Sequence, residues 1–287
     1  MEKVLRIISK SHIGLIVFIV LQISMLVYLT NGNSSELAEY FSIYLVTTAM
    51  ALSPVGEFIL CLFSGATSRL RADIEEELQP IADEIIEKIK ERAPMKNVKI
   101  KWRELNAPIP CAAAIGRHTI AVSTALMELP YDQIEGILAD EIAHLALHHN
   151  VAMMIAGCSN PLVLFFWIML QIAKWIVIII STVLSIISSD TAGRIAGLAM
   201  SGLTAIFVWS WTTLCTIFIA FESRQNVYEA DQYAAELGYG YALASALNDV
   251  GVFIPNQGFL HMLQMTHPRP SARINRLIRN GVEYSSF

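Results

Sequence analysis

Four apolar stretches constrain this chain more than any other feature: Ile13 to Thr30, Phe41 to Phe63, Pro161 to Ile187 and Ile195 to Phe221. A helix needs about 20 mostly apolar residues to cross the hydrocarbon of a bilayer, where every backbone N–H and C=O must be satisfied within the helix. The stretches fall in two pairs, so two transmembrane hairpins are expected. The overall balance agrees, with 54% hydrophobic and 16% charged positions over 287 residues, outside the usual range of soluble domains. The first stretch exceeds the apolar run of a secretory leader and no small-x-small site follows it, so it reads as an anchor.

Two charges interrupt the apolar runs. Glu57 lies beside Pro54 and Gly56, which suggests a broken or reentrant segment, and an acid at membrane depth is a functional hypothesis by default. Lys174, inside the third run, either pairs with it or snorkels to the interface. Lys3, Arg6 and Lys10 precede the first stretch, residues 31–40 carry no Lys or Arg, and Arg69 and Arg71 follow the second. The positive-inside rule then puts both termini and the polar segments in the cytoplasm. A net charge of -5 offers no basic patch, so nucleic acid is not an expected partner. Cys61, Cys111, Cys158 and Cys215 are scattered without C-x-x-C spacing, which supports neither a disulfide framework nor a cysteine metal site.

The expected organisation is a hairpin over 1–66, a polar domain over 67–160, a second hairpin over 161–221 and the rest of the polar domain over 222–287. Within the domain, Ile74, Leu78, Ile81, Ile85 and Ile89 recur at helical spacing through a charged stretch ending at Arg92, the pattern of a helix laying one face on a core. Val98 to Trp102 alternates with the period of a strand, and Thr119 to Ser123 follows a Gly-Arg-His turn. A buried helix is expected from Asp132, which together with Glu135 forms a capping-box pattern.

That helix carries Asp140-Glu141-Ile142-Ala143-His144. A zinc peptidase helix reads His-Glu-x-x-His, because residues four apart share a face, two imidazoles there hold one metal, and the Glu acts as general base. Here the first imidazole is a carboxylate. Burying Asp140, Glu141 and His144 within five residues is costly unless a cation or hydrogen-bond partner meets them. His148 and His149 are expected near the helix end, where cationic groups are favourable.

With AAAIGRHTIAVS, SRQNVYEADQYA and HPRPSARI, the chain resembles the HtpX-type membrane zinc metallopeptidases, relatives of the type I CAAX prenyl proteases. The resemblance runs nearly the whole length. It implies an α-helical integral membrane protein with a mostly helical, zincin-like cytosolic peptidase domain carrying a small β-sheet, in a bacterial-type inner membrane. It implies one zinc per chain, weakened or absent here: His144 is retained, Asp140 stands for the first ligand, and Val227 stands where the third ligand, a Glu, is expected. Asp231, one turn beyond Val227, is the remaining candidate ligand. Glu229 is turned by about 200° from the Val227 face and is no ready substitute.

The resemblance further implies Glu141 as general base and Ala112, Ala113, Ala114, Ile115 and Gly116 as the edge along which an extended polypeptide substrate lies. His267 and Arg273 are expected to line the cleft and stabilise an oxyanion; the plainer readings are a helix-start turn for His267 and a surface ion pair for Arg273. Two functional classes follow. One is a membrane-anchored zinc endopeptidase cleaving misfolded membrane proteins. The other, supported by Asp140 and Val227, is a pseudopeptidase that keeps the cleft as a binding or scaffold surface. A small transporter built on Glu57 and Lys174 would leave the polar domain unexplained.

Overall fold

The computed structural model describes residues 13–29, 31–92, 100–151, 220–251 and 267–285, with isolated helical positions between 154 and 217. The expected second hairpin, apart from those positions and its last two residues, lies outside the described residues, as do Lys174, Cys158 and Cys215.

Helix α1, Ile13–Leu29, is followed by a turn through Asn31 and Gly32 and by α2, Ser34–Ala51. The stretch from Phe41 to Phe63, counted as one apolar span with a break suggested beside Pro54 and Gly56, is two helices. Leu52 and Ser53 end α2, Pro54 begins α3 (Pro54–Phe63), and the two axes differ by 75°. The cause is local, since Pro54 cannot donate to the ladder of a continuing helix but fits a first helical turn. Ser53 caps that turn by accepting from the Gly56 N–H at 3.4 Å. Among the described residues no single helix is long and apolar enough to cross a membrane, whereas α2 and α3 together pass that test as a bent pair. The exposed side chains of Val55, Phe58 and Leu62 give α3 an apolar outer face.

The polar domain begins with β1 (Ser68–Arg69) and α4 (Ala72–Arg92), whose five periodic apolar residues are all buried, as expected. Strands β2 (Lys101–Glu104), β3 (Ala112–Ile115) and β4 (Thr119–Val122) complete a mixed sheet in the order β1-β2-β4-β3. Strands β2 and β4 are parallel, and β3 lies antiparallel to β4 on an open edge. Trp102 ties the sheet to α4 by donating to the Gln79 side chain at 2.7 Å.

Helix α5, Tyr131–Ala146, packs against α4, β3 and the later helix α7, Gly240–Gly251. Its cap differs from expectation: Pro130 is the N-cap and its carbonyl accepts from Gln133 and Ile134 at 3.0 and 3.1 Å, which places Asp132 inside the first turn. There the carboxylate faces the positive end of the helix dipole without capping it. Helix α6 covers 220–234, and a π turn at Ala235–Tyr239 with Gly238 at φ +100° redirects the chain into α7, Gly240–Gly251. At Gly136 a Cβ would stand 2.4 Å from the Leu243 nitrogen, so α5 and α7 approach backbone to backbone. Helix α8, Pro270–Arg279, packs on α7 and brings its N-terminal end to the middle of α5.

Candidate active site

Helix α5 delivers Asp140, Glu141 and His144, α6 delivers Val227 and Asp231, and α8 delivers Arg273. The guanidinium of Arg273 lies between the two aspartates. Its Nη2 donates to Asp140 Oδ2 at 2.6 Å and to Asp231 Oδ1 at 2.5 Å, and its Nε donates to both Asp231 oxygens at 3.0 Å. All three residues are buried, at 5%, 2% and 8% exposure for Asp140, Asp231 and Arg273. Burial alone would lower the Arg273 pKa, but the two carboxylates outweigh it and keep the group charged. Burial raises the Asp231 carboxyl and Arg273 draws it back, leaving it at about 6. The other Asp140 oxygen, Oδ1, is buried without a hydrogen-bond partner among the described residues.

Of the readings of Arg273, the surface ion pair is corrected, since the residue is buried and pairs with Asp140 and Asp231. The physical reason is the cost foreseen for α5. Two carboxylates from different helices converge in a dry interior, and a guanidinium satisfies both with several charge-assisted bonds.

The same contacts decide whether zinc suits the residues present. Asp140 and Asp231, two of the three candidate ligands, are held by Arg273, and Val227 is 1% exposed and supplies no donor. Among the described residues no group of three or more His, Cys, Asp or Glu has the arrangement to hold a metal ion. The donor set does not fit zinc in this conformation.

His144 meets a partner the sequence did not signal. Its Nδ1 lies 3.1 Å from Nδ1 of His149, and His149 Nε2 lies 3.4 Å from a Glu229 carboxylate oxygen. Helix α5 ends at Ala146 and His148 takes a positive φ of 57°, turning the chain so that His149, 2% exposed, points inward. An uninterrupted helix would carry His149 off the His144 face, so spacing alone could not find this pair. Burial holds His144 neutral, with its pKa down to about 3, and the tautomers of the two rings set which of them donates.

Glu141 faces the sheet. Its Oε2 accepts from the Ala114 N–H at 2.6 Å, and Asn150 Nδ2 donates to the Ala114 carbonyl at 3.0 Å. Burial raises the Glu141 carboxyl, Asp140 adds to this, and the Ala114 N–H opposes it, leaving it at about 8. His267 is exposed on the turn into α8 and is coupled electrostatically to Arg273 and Asp140. Glu57, 8% exposed, accepts from Thr119 Oγ1 at 2.6 Å and from the His118 N–H at 3.3 Å. It ties α3 to the turn between β3 and β4, where Gly116 at φ +65° leaves room that a Cβ would fill at 2.8 Å from Glu57 Cγ.

A buried helix carrying Asp140, Glu141 and His144 lies beneath the edge strand that Glu141 touches, with two later helices bringing Asp231 and Arg273 against it, the layout of a peptidase-type site built on one helix. The profile of peptidase family M48 matches residues 72–280, and the chain belongs to that family. It is 29% identical over 191 residues to a protease HtpX homolog of Bacillus licheniformis, covering 61% of this chain and 60% of that protein. To protease HtpX of Shewanella baltica (strain OS185) it is 36% identical over 132 residues, covering 44% and 42%. These matches span well under two thirds of the relatives' lengths. The crystal structure of S. mikatae Ste24p superposes with a TM-score of 0.54 at 18% identity, covering 89% of this chain and 62% of that one, which supports the fold.

Proposed function

We propose that this chain is a membrane-anchored M48 protein that binds extended polypeptide in its cleft without hydrolysing it. The observation that carries the reading is the Arg273 guanidinium seated between Asp140 and Asp231. A guanidinium neutralises the carboxylates, but it cannot polarise a carbonyl as a Lewis acid or acidify a bound water as zinc does. What remains is an open strand edge at Ala112–Ile115, a surface suited to pairing with an extended chain. Anchoring is supported by the apolar first stretch and by the bent pair α2–α3, with the domain on the cytoplasmic side by the Lys and Arg distribution. The ligands of this reading are segments of misfolded membrane proteins.

The second reading is a zinc endopeptidase, supported by the retained Glu141 and His144 within one turn of α5. One experiment separates them. The full chain in mild detergent is incubated with a fluorescent unfolded polypeptide, with and without a chelator, and both binding and cleavage are followed. Saturable binding without cleavage, unchanged by the chelator, is expected; chelator-sensitive cleavage would overturn the proposal in favour of the second reading.

A further inference from the structure

The register of β3 determines which of its main-chain groups look outward. The Ser123 N–H donates to the Cys111 carbonyl at 2.9 Å, so Cys111 and Ser123 form a hydrogen-bonded pair of the antiparallel ladder. Such pairs alternate. In the register of β3 on β4, Ala113 faces Ala121 and Ile115 faces Thr119, and these are the next hydrogen-bonded pairs inward. Ala112 and Ala114 therefore turn their N–H and C=O away from β4, toward the open edge.

At Ala114 both outward groups are occupied. Glu141 takes the N–H and Asn150 supplies a donor to the C=O, at 2.6 and 3.0 Å. An antiparallel neighbour strand would use these two groups with one of its own residues, accepting from the N–H and donating to the C=O. The two side chains thus reproduce the pairing of one residue of an added strand. At Ala112 no side chain caps the outward groups among the described residues.

We propose that Glu141 and Asn150 form a two-point latch on Ala114 that an incoming extended polypeptide must displace. The inference rests on the cleft being a polypeptide site and names how that site is regulated. A strand pairs first at Ala112 and then exchanges main chain for side chain at Ala114, releasing Glu141 and Asn150. The latch also protects an edge that would otherwise offer a free row of donors and acceptors to other chains. Asn150 is thereby a main-chain-recognising residue of the cleft, at a position the sequence motifs did not mark.

The test uses the full chain in detergent with two readouts. Amide hydrogen exchange is followed across 112–116, and affinity is measured for a fluorescein-labelled extended peptide of alternating Thr and Val. In the wild type the Ala114 amide is expected to be protected although it faces outward. Asn150→Ala and Glu141→Ala should each tighten peptide binding about two- to tenfold, the range for losing one competing hydrogen bond, and Glu141→Ala should also deprotect the Ala114 amide. Asn150→Ala keeps the test open if Glu141→Ala does not fold. Peptide binding by the wild type that is no tighter in a folded variant would overturn the latch while leaving the polypeptide site standing. An unprotected Ala114 amide in the wild type would overturn it as well. No peptide binding by the wild type or any folded variant would overturn the polypeptide-site reading itself, and the latch with it.

Discussion

Replacing Arg273 by Met keeps most of the side-chain volume and removes the charge between Asp140 and Asp231. The wild-type guanidinium makes one hydrogen bond to Asp140 and three to Asp231, and the two carboxylates are only 5% and 2% exposed. Removing one partner of a buried ion pair costs about 3 to 5 kcal/mol because the survivor is left charged in a dry interior. Here two like charges survive, and at least one must take a proton. A loss of about 3 to 5 kcal/mol near neutral pH corresponds to a melting temperature lowered by roughly 6 to 20 °C for a chain of this size. The sign of the pH dependence follows. Burial raises the Asp231 carboxyl and Arg273 opposes this, so without Arg273 that pKa stands higher still, the variant recovers stability as pH falls through it, and its gap from the wild type narrows in acid. The triple variant Arg273→Met, Asp140→Asn, Asp231→Asn removes all three charges and should regain more than half of the loss. Melting curves at one scan rate in one detergent, at neutral and acid pH, provide the assay. A loss below about 1 kcal/mol, or a triple variant no more stable than the single one, would refute the argument that these charges are mutually dependent.

Gly136→Ala should destabilise by about 3 kcal/mol, since its Cβ would fall 2.4 Å from the Leu243 nitrogen and 2.6 Å from the Ala242 carbonyl carbon; thermal melting checks this. Glu141, raised to about 8 by burial and Asp140, contributes stability that is complete below its unfolded pKa and is lost as pH rises through about 8. Glu141→Gln should therefore flatten the fall in stability between about pH 5 and 8, by up to roughly 1.4 kcal/mol per pH unit at the steepest, as read from denaturation at a series of pH values. Asp140→His together with Val227→Glu should create chelator-sensitive stability and zinc-dependent cleavage of an unfolded polypeptide, with either change alone recovering only part, because the third ligand fixes the coordination geometry. Adding Glu141→Gln to that pair should abolish cleavage and leave zinc uptake intact.

Local regularities were legible in the sequence. The apolar period of α4 placed Ile74, Leu78, Ile81, Ile85 and Ile89 in the core, where all five lie, because a helix that packs on a domain must bury one face. The strand at Thr119 was legible from the Gly-Arg-His turn before it, whereas the edge strand at Ala112 was expected only from the family resemblance. Pro54 marked the break between α2 and α3, though hydropathy alone merged them into one span. The α5 cap was misread because two chemistries competed: Asp132 fits a capping box, yet Pro130 already fixes the backbone that starts the helix. The pocket was legible only as a deficit. Sequence showed that Asp140 needed a cation or a hydrogen-bond partner and that Val227 offers no ligand atom, but the cation comes from Arg273, 133 residues away, and no local spacing encodes that meeting. His149 was hidden differently, by a left-handed residue at His148 that breaks the helical periodicity from which its position was inferred.

In the proposed function Arg273, and no metal ion, is the cation that Asp140 and Asp231 share. Zinc content and chelator sensitivity of the purified full chain test it together. After expression with zinc present and dialysis against a weak chelator, the account predicts well below one zinc per chain and a melting temperature unchanged by stronger chelation. One zinc retained per chain, with a melting temperature that falls when the metal is stripped, would mean that Asp140, His144 and Asp231 exchange Arg273 for a metal ion, and would contradict the account.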